Sequence, residues 1–124
     1  MNKKDLKILE KKLLEERTRL TEELDHLDQS VAQGLKDASG DLSSYSVHMA
    51  DQGSDVFERE MNHLLSSTEG RLLLDTVEAL RRLYRGEYGV CQACGKKISR
   101  ERLLAVPQAK LCVSCQAEAE RSAR

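Results

Sequence analysis

Cys91-Gln92-Ala93-Cys94 and Cys112-Val113-Ser114-Cys115 hold all four cysteines of the chain, and seventeen residues, Gly95 to Leu111, separate the two pairs. Each CxxC turn presents two sulfurs to one point, and a loop of that length carries the second pair round to complete a tetrahedron. The spacing falls in the window of a closed structural Zn2+ site, with Cys91, Cys94, Cys112 and Cys115 as ligands. A thioredoxin-like redox pair would need one CxxC opening a helix after a strand, and nothing before Cys91 reads as a strand. A disulfide framework suits a secreted chain, but the start, Met1 to Lys7, runs into a charged periodic segment with no apolar signal region. A cytoplasmic location is expected, where reduced thiols suit zinc.

Working back from Cys91, Arg81-Arg82-Leu83-Tyr84-Arg85-Gly86 reads as a helix end, with cations where the helix dipole favours them and a glycine stop. The stripe leading into it is Phe57, Met61, Leu64, Leu73, Val77, Leu80 and Tyr84, interrupted near Gly70. This second helix starts near Ser54 or Asp55, where Asp55-x-x-Glu58 has the residue types of a capping box. A first helix carries Leu6, Leu9, Leu13, Leu20, Leu24, Leu27, Val31 and Leu35, with one slip around Glu16 and Arg17. Its stripe is narrow enough to suit one partner helix. In an antiparallel hairpin turning near residue 45, Gly70 falls opposite Leu20, so its missing side chain reads as close helix approach or a local hinge.

Between the helices, Gly34 to Ser54 is rich in Gly and Ser and too long for a plain turn. It is also acidic, with six carboxylates and one arginine from Asp37 to Glu60. After Cys94, Ile98, Leu103, Leu104, Val106 and Leu111 read as a small apolar cluster around the single proline, Pro107, and a short helix is expected from Gln116 to Arg124.

The expected fold is mainly α: a long antiparallel helical hairpin, or coiled coil, over residues 1–87 with a tip loop at about 36–54, then a small four-Cys zinc finger with a short C-terminal helix over 88–124. With 33% charged and 3% aromatic residues, the chain has little material for a broad core, so a metal and a helix seam must stand in for one. Formal charge is −1 over residues 1–40, −4 over 41–90 and +4 over 91–124. The last value is modest for a nucleic-acid binder. His26, His48 and His63 are scattered, and no catalytic constellation or phosphate loop is present. The chain does not read as an enzyme.

The finger pattern Tyr88-Gly89-Val90-Cys91-x-x-Cys94-Gly95, with Ile98, Arg102-Leu103, Ala105, Pro107, Ala109 and Cys112-x-x-Cys115, resembles the DksA/TraR family of bacterial transcription regulators. The resemblance implies a protein that binds RNA polymerase rather than DNA, places its hairpin in the secondary channel and modulates initiation through acidic residues at the tip. The family's tip pattern, Asp-x-x-Asp-x-Ala, falls on His48-Met49-Ala50-Asp51-Gln52-Gly53 by an ungapped count from Cys91. Asp51 matches, His48 and Gly53 take the outer positions, and Asp55 offers a second carboxylate at a different spacing. Family positions that hold the alarmone guanosine tetraphosphate fall on Thr68, Asp75 and Gln116, none of them basic, so synergy through that site is not expected.

Two other readings stay open. A zinc-ribbon nucleic-acid-binding protein draws on Lys96, Lys97, Arg100, Arg102 and Lys110, and a structural coiled-coil adaptor would use the helices for dimerisation. The regulator reading expects a monomer with no sequence-specific DNA binding and no membrane association.

Overall fold

A computed structural model describes residues 2–24 and 54–123, with side chains from residue 58 in the second stretch. The described helices are α1 (Lys3–Glu23), α2 (Ser54–Leu65), α3 (Thr68–Tyr84), α4 (Arg100–Ala105) and α5 (Val113–Ser122). Among the described residues the only β pairing is an isolated antiparallel bridge, Val90 to Lys97. The tip loop expected at about 36–54 lies almost entirely outside the described residues.

α1 opens on Asn2, whose side-chain oxygen accepts from the Asp5 amide at 2.8 Å, and Asp5 adds negative charge to the first turn. Leu9, Leu13, Leu20 and Leu24 are buried, as the stripe requires. At Leu24 the backbone leaves the helical region, with φ −89° and ψ 60°. Glu22 and Glu23 put negative charge at an end already negative in the helix dipole, and no basic residue occupies the last turn. The described α1 therefore spans 21 residues. Its expected continuation through Leu27, Val31 and Leu35 lies outside the described residues.

α1 packs against α3. The pairing is antiparallel, since Leu9 and Leu13 near the start of α1 share a buried cluster with Ala79 and Leu80 near the end of α3. On α3, Leu73, Val77 and Leu80 are buried, but the expected last stripe member, Tyr84, stays 45% exposed. Partial burial and the neighbouring Glu10 carboxylate push its pKa up to about 12. A phenol is polar at its tip, so it stays at the rim, and Leu83 packs against the core instead.

The second arm is not one helix. α2 ends at Leu65, and α3 restarts after Ser66 and Ser67, with the Ser67 hydroxyl accepting from the Gly70 amide at 3.0 Å. The interruption expected at Gly70 therefore lies three residues earlier. Gly70 sits in the first turn of α3, and its close neighbour is the Leu64 backbone: a Cβ there would lie 2.1 Å from the Leu64 carbonyl oxygen. Contact with the preceding helix, rather than with Leu20, excludes a side chain.

α3 stops as its sequence requires. The Glu87 amide donates to Arg82 O at 2.8 Å and the Gly86 amide to Leu83 O at 3.2 Å, a Schellman pair, with Gly86 at φ +75°. The chain then enters the finger. Tyr88, Cys91, Ile98, Leu103 and Ala109 from the finger join Leu9, Leu13, Ala79 and Leu80 from the hairpin in one buried cluster, with Leu6, Leu14, Leu83, Leu104, Leu111, Cys112 and Cys115 packed around it. The core thus crosses the expected boundary at residue 88. Val106, expected in the apolar cluster, is 43% exposed; it follows the last residue of α4 and leaves the helical region there, with φ −133° and ψ 83°.

Candidate metal centre

Two local devices bring the four sulfurs together. The first is a tight turn: the Cys91 amide donates to Lys96 O at 2.8 Å, the Gly95 amide to Cys91 O at 2.9 Å and the Ile98 amide to Gly89 O at 2.8 Å. Gly95, at φ +76°, takes the left-handed position that closes the turn behind Cys94. The second is a helix start. Cys112 is the N-cap of α5, with extended φ −70° and ψ 168°, so Cys115 lies in the first turn. The helix begins at Val113, three residues before the expected Gln116, because Cys112 itself serves as the entry residue and the Gln116 amide already bonds to Cys112 O at 2.9 Å.

The turn and the helix are tied together by the Gln92 amide, which donates to Lys110 O at 2.9 Å, and by Arg102, whose Nε donates to Leu111 O at 2.9 Å. α4, which carries Arg102, was not anticipated. Its signal was Ser99, whose hydroxyl accepts from the Arg102 amide at 3.3 Å, with Glu101 in the first turn.

All four sulfurs lie within 4.8 Å of one another, and Cys94 Sγ to Cys112 Sγ is 3.9 Å. A tetrahedral ion with bonds of about 2.3 Å places its sulfurs about 3.8 Å apart, so the cluster fits zinc closely. No disulfide is formed among these residues. Cys91 is 1% exposed, while Cys94 is on the surface.

The electrostatics agree. Backbone amides of Cys112 and Cys94 bring the Cys91 thiol down to about 6, and the Cys115 amide at the start of α5 lowers Cys112. The sulfurs of Cys112, Cys91 and Cys94 push Cys115 up to about 12, since a further thiolate would face negative neighbours. Only a cation at their centre lets all four act as thiolates together. The residues fit Zn2+ and form its site.

Further polar contacts fix the finger against the hairpin. Arg100 Nε pairs with Asp5 at 3.1 Å and the Lys12 ammonium donates to Leu104 O at 3.1 Å, while within the finger itself the Tyr88 hydroxyl donates to Pro107 O at 2.9 Å. Gln108 is buried, and its Nε2 donates to the Thr76 hydroxyl at 3.0 Å, which itself donates to Leu72 O at 2.7 Å. Sequence reasoning missed Thr76 and Gln108, since a polar pair 32 residues apart leaves no periodic trace. A groove of about 570 Å3 lies between α1 and residues 104–108, away from the cysteines. Lys12 bridges it, so it is a seam between hairpin and finger. Of the five cations on which the nucleic-acid reading draws, Arg100 and Arg102 are committed to these contacts, and Lys96, Lys97 and Lys110 are exposed.

His48, Asp51 and Gly53 lie outside the described residues, and Asp55 falls in the first turn of α2. Among the described residues, no helix is long and apolar enough to cross a membrane.

A four-sulfur clamp at the base of a helical hairpin, continuous with its core, defines a C4 zinc-finger protein of the DksA/TraR type. The family described as "Prokaryotic dksA/traR C4-type zinc finger" matches residues 86–121, and the chain belongs to it. It is 32% identical over 121 residues to an uncharacterized protein of Aquifex aeolicus, covering 98% of this chain and 80% of that one. It is 41% identical over 51 residues to the RNA polymerase-binding transcription factor DksA of Haemophilus influenzae, a match spanning 40% of this chain and 35% of the relative. Among solved structures, transcription factor DksA2 from Pseudomonas aeruginosa matches with a TM-score of 0.60 and 28% identity, covering 100% of this chain and 89% of that one.

Proposed function

We propose that this protein is a non-enzymatic regulator of transcription that binds RNA polymerase, with its hairpin entering the secondary channel and an acidic tip modulating initiation. The observation that carries the reading is the whole-chain likeness to DksA2, together with similarity to a protein named for polymerase binding. In this reading residues 1–87 form the arm and 88–124 the base. Zinc supplies cross-linking of four thiolates there and no chemistry on a substrate.

Asp51 is the acting carboxylate at the tip, Asp55 its helper, and His48 and Gly53 flank them. A carboxylate delivered near a bound metal or a basic channel wall changes local electrostatics without chemistry of its own. At about 8 Å and an effective dielectric of about 20, one unit charge is worth ~2 kcal/mol, or roughly thirtyfold in a lifetime or equilibrium. Thr68, Asp75 and Gln116 give the phosphates of guanosine tetraphosphate no cation, so the regulator acts without that ligand at this site. It works as a cytoplasmic monomer.

Two measurements test this. Immobilised protein is expected to retain core RNA polymerase, and failure to retain it refutes the reading. On a ribosomal RNA promoter, Asp51→Asn is expected to keep polymerase binding while losing most of the effect on open-complex lifetime. Equal effects of wild type and variant would remove Asp51 from its role.

A further inference from the structure

The join between α2 and α3 is a built elbow. In a continuous α-helix, residues 64 and 70 would be about 9 Å apart along the axis. Here a Cβ on Gly70 would stand 2.8 Å from Leu64 Cα and 2.1 Å from its carbonyl oxygen, so the chain folds back on itself over those six residues. Both sides of the fold are closed by hydrogen bonds. On the α2 side the Ser66 amide and hydroxyl both donate to His63 O, at 3.2 and 2.6 Å, and the Ser67 amide donates to Leu64 O at 3.4 Å. On the α3 side the Gly70 amide, which a continuous helix would direct to Ser66 O, goes to the Ser67 hydroxyl at 3.0 Å, and helical bonding resumes from Arg71 to Ser67 O at 3.1 Å. Leu64 and Gly70 are buried, while Leu65 is turned outward and 52% exposed.

We infer that Leu64 to Gly70 is a positioning elbow that sets the direction in which α2 leaves the zinc-clamped base, and that Gly70 is the residue on which it depends. Any side chain at position 70 meets the Leu64 main chain, which cannot step aside as a flexible side chain would. In a straight helix the same side chain would be far from Leu64 and would favour helix over glycine. Gly70→Ala therefore excludes the elbow and favours its alternative. α2 is about 18 Å long, so a change of direction of about 30° moves its far end by about 9 Å. The consequence for regulation rests on the polymerase-binding reading above, because the acidic segment adjoins that far end; the elbow itself does not.

The test uses the zinc-loaded full chain. Spin labels carried on non-canonical amino acids at Glu58 and Glu101, both exposed, leave the cysteines to the metal. Pulsed dipolar spectroscopy then reads the distance from α2 to α4. In Gly70→Ala the distance distribution is expected to shift as a whole and helix content to rise. Ser67→Ala, which keeps the glycine and loses the cap, is expected to broaden the distribution toward the Gly70→Ala position. A folded Gly70→Ala protein with the wild-type distribution overturns the inference. If that variant does not fold, a wild-type distribution in Ser67→Ala overturns it equally. Polymerase retention and open-complex lifetime are measured alongside. Retained binding with a several-fold change in lifetime is expected of Gly70→Ala. A shifted distance with wild-type lifetime refutes the use of the elbow in regulation but not the polymerase reading. Failure of the wild-type chain to bind polymerase refutes that reading, and the distances alone then judge the elbow.

Discussion

Leu80→Ala asks whether the metal site and the hairpin base fold as one body. Leu80 lies on α3, remote in sequence from every cysteine, yet it is fully buried in the cluster that contains Cys91. Truncating such a leucine costs ~2–5 kcal/mol through lost burial and a residual cavity. Where that cost appears depends on the metal-free state. If the base stays folded without zinc, both states lose the same amount and zinc affinity is unchanged. If the base unfolds on losing zinc, folding free energy is drawn from metal binding, and the whole cost appears as weaker binding. The structure favours the second case. Four sulfurs within 4.8 Å repel as thiolates, as the upward shift of Cys115 shows, and the apolar cluster beneath them is small.

Taking ~3 kcal/mol, apparent zinc affinity is expected to fall roughly 100-fold, since about 1.4 kcal/mol corresponds to one decade. Competition against a chromophoric chelator at neutral pH measures it, with far-UV circular dichroism following helix content as zinc is withdrawn. Lys11→Ala, at an exposed position of α1, serves as the control and should leave affinity unchanged. A Leu80→Ala protein with lowered thermal stability but wild-type zinc affinity would refute the shared-core argument.

Two further changes probe the contacts between hairpin and finger. Thr76→Val leaves the buried Gln108 amide without its acceptor and should cost ~1–3 kcal/mol in denaturant unfolding, most of which the double variant with Gln108→Leu should recover. Tyr88 is buried and its pKa is pushed up to about 12 by burial, so the folded state holds the phenolic proton more tightly than the unfolded one. Its contribution is fully present below the ordinary tyrosine pKa of about 10 and is lost as pH rises through about 12, by an amount on the order of 2 kcal/mol. Tyr88→Phe should flatten the fall in stability across that alkaline window; an unchanged slope would place the titration elsewhere.

The parts of the fold legible in sequence were those with local causes. Two CxxC pairs at the right spacing, leucines at helical steps in α1, and Arg81-Arg82 before Gly86 each carry their own explanation within a few residues. What was not legible depends on partners. Periodicity shows that Leu9, Leu13 and Leu80 face something, but not that Tyr88, Ile98 and Ala109 of the finger share that face. The break in the second arm was placed at Gly70 because glycine is the conspicuous residue. The event is at Ser66 and Ser67, and Gly70 is required only because the Leu64 carbonyl arrives beside it. α4 was missed because a six-residue helix ending two residues before a proline has too few turns to show a period.

The shared core also explains what a metal at the base does for the far ends of the helices that rest on it. α1 is about 32 Å long, and an angular error of 5° at its base becomes about 3 Å at its far end, the length of a hydrogen bond. A chain with 3% aromatic residues cannot suppress that error by bulk packing alone. Zinc ligation does so locally, because Cys91 belongs to the same buried cluster as Leu9 and Leu80, and Cys112 and Cys115 pack against it. Fixing the sulfurs fixes the surface on which α1 and α3 rest, and Arg100 with Asp5 and Lys12 with Leu104 O hold α1 from the side. On this argument the metal acts on function through angle: loss of zinc should release the base, with the ends of α1 and α3 that rest on it, and the orientation of the arm is lost with them.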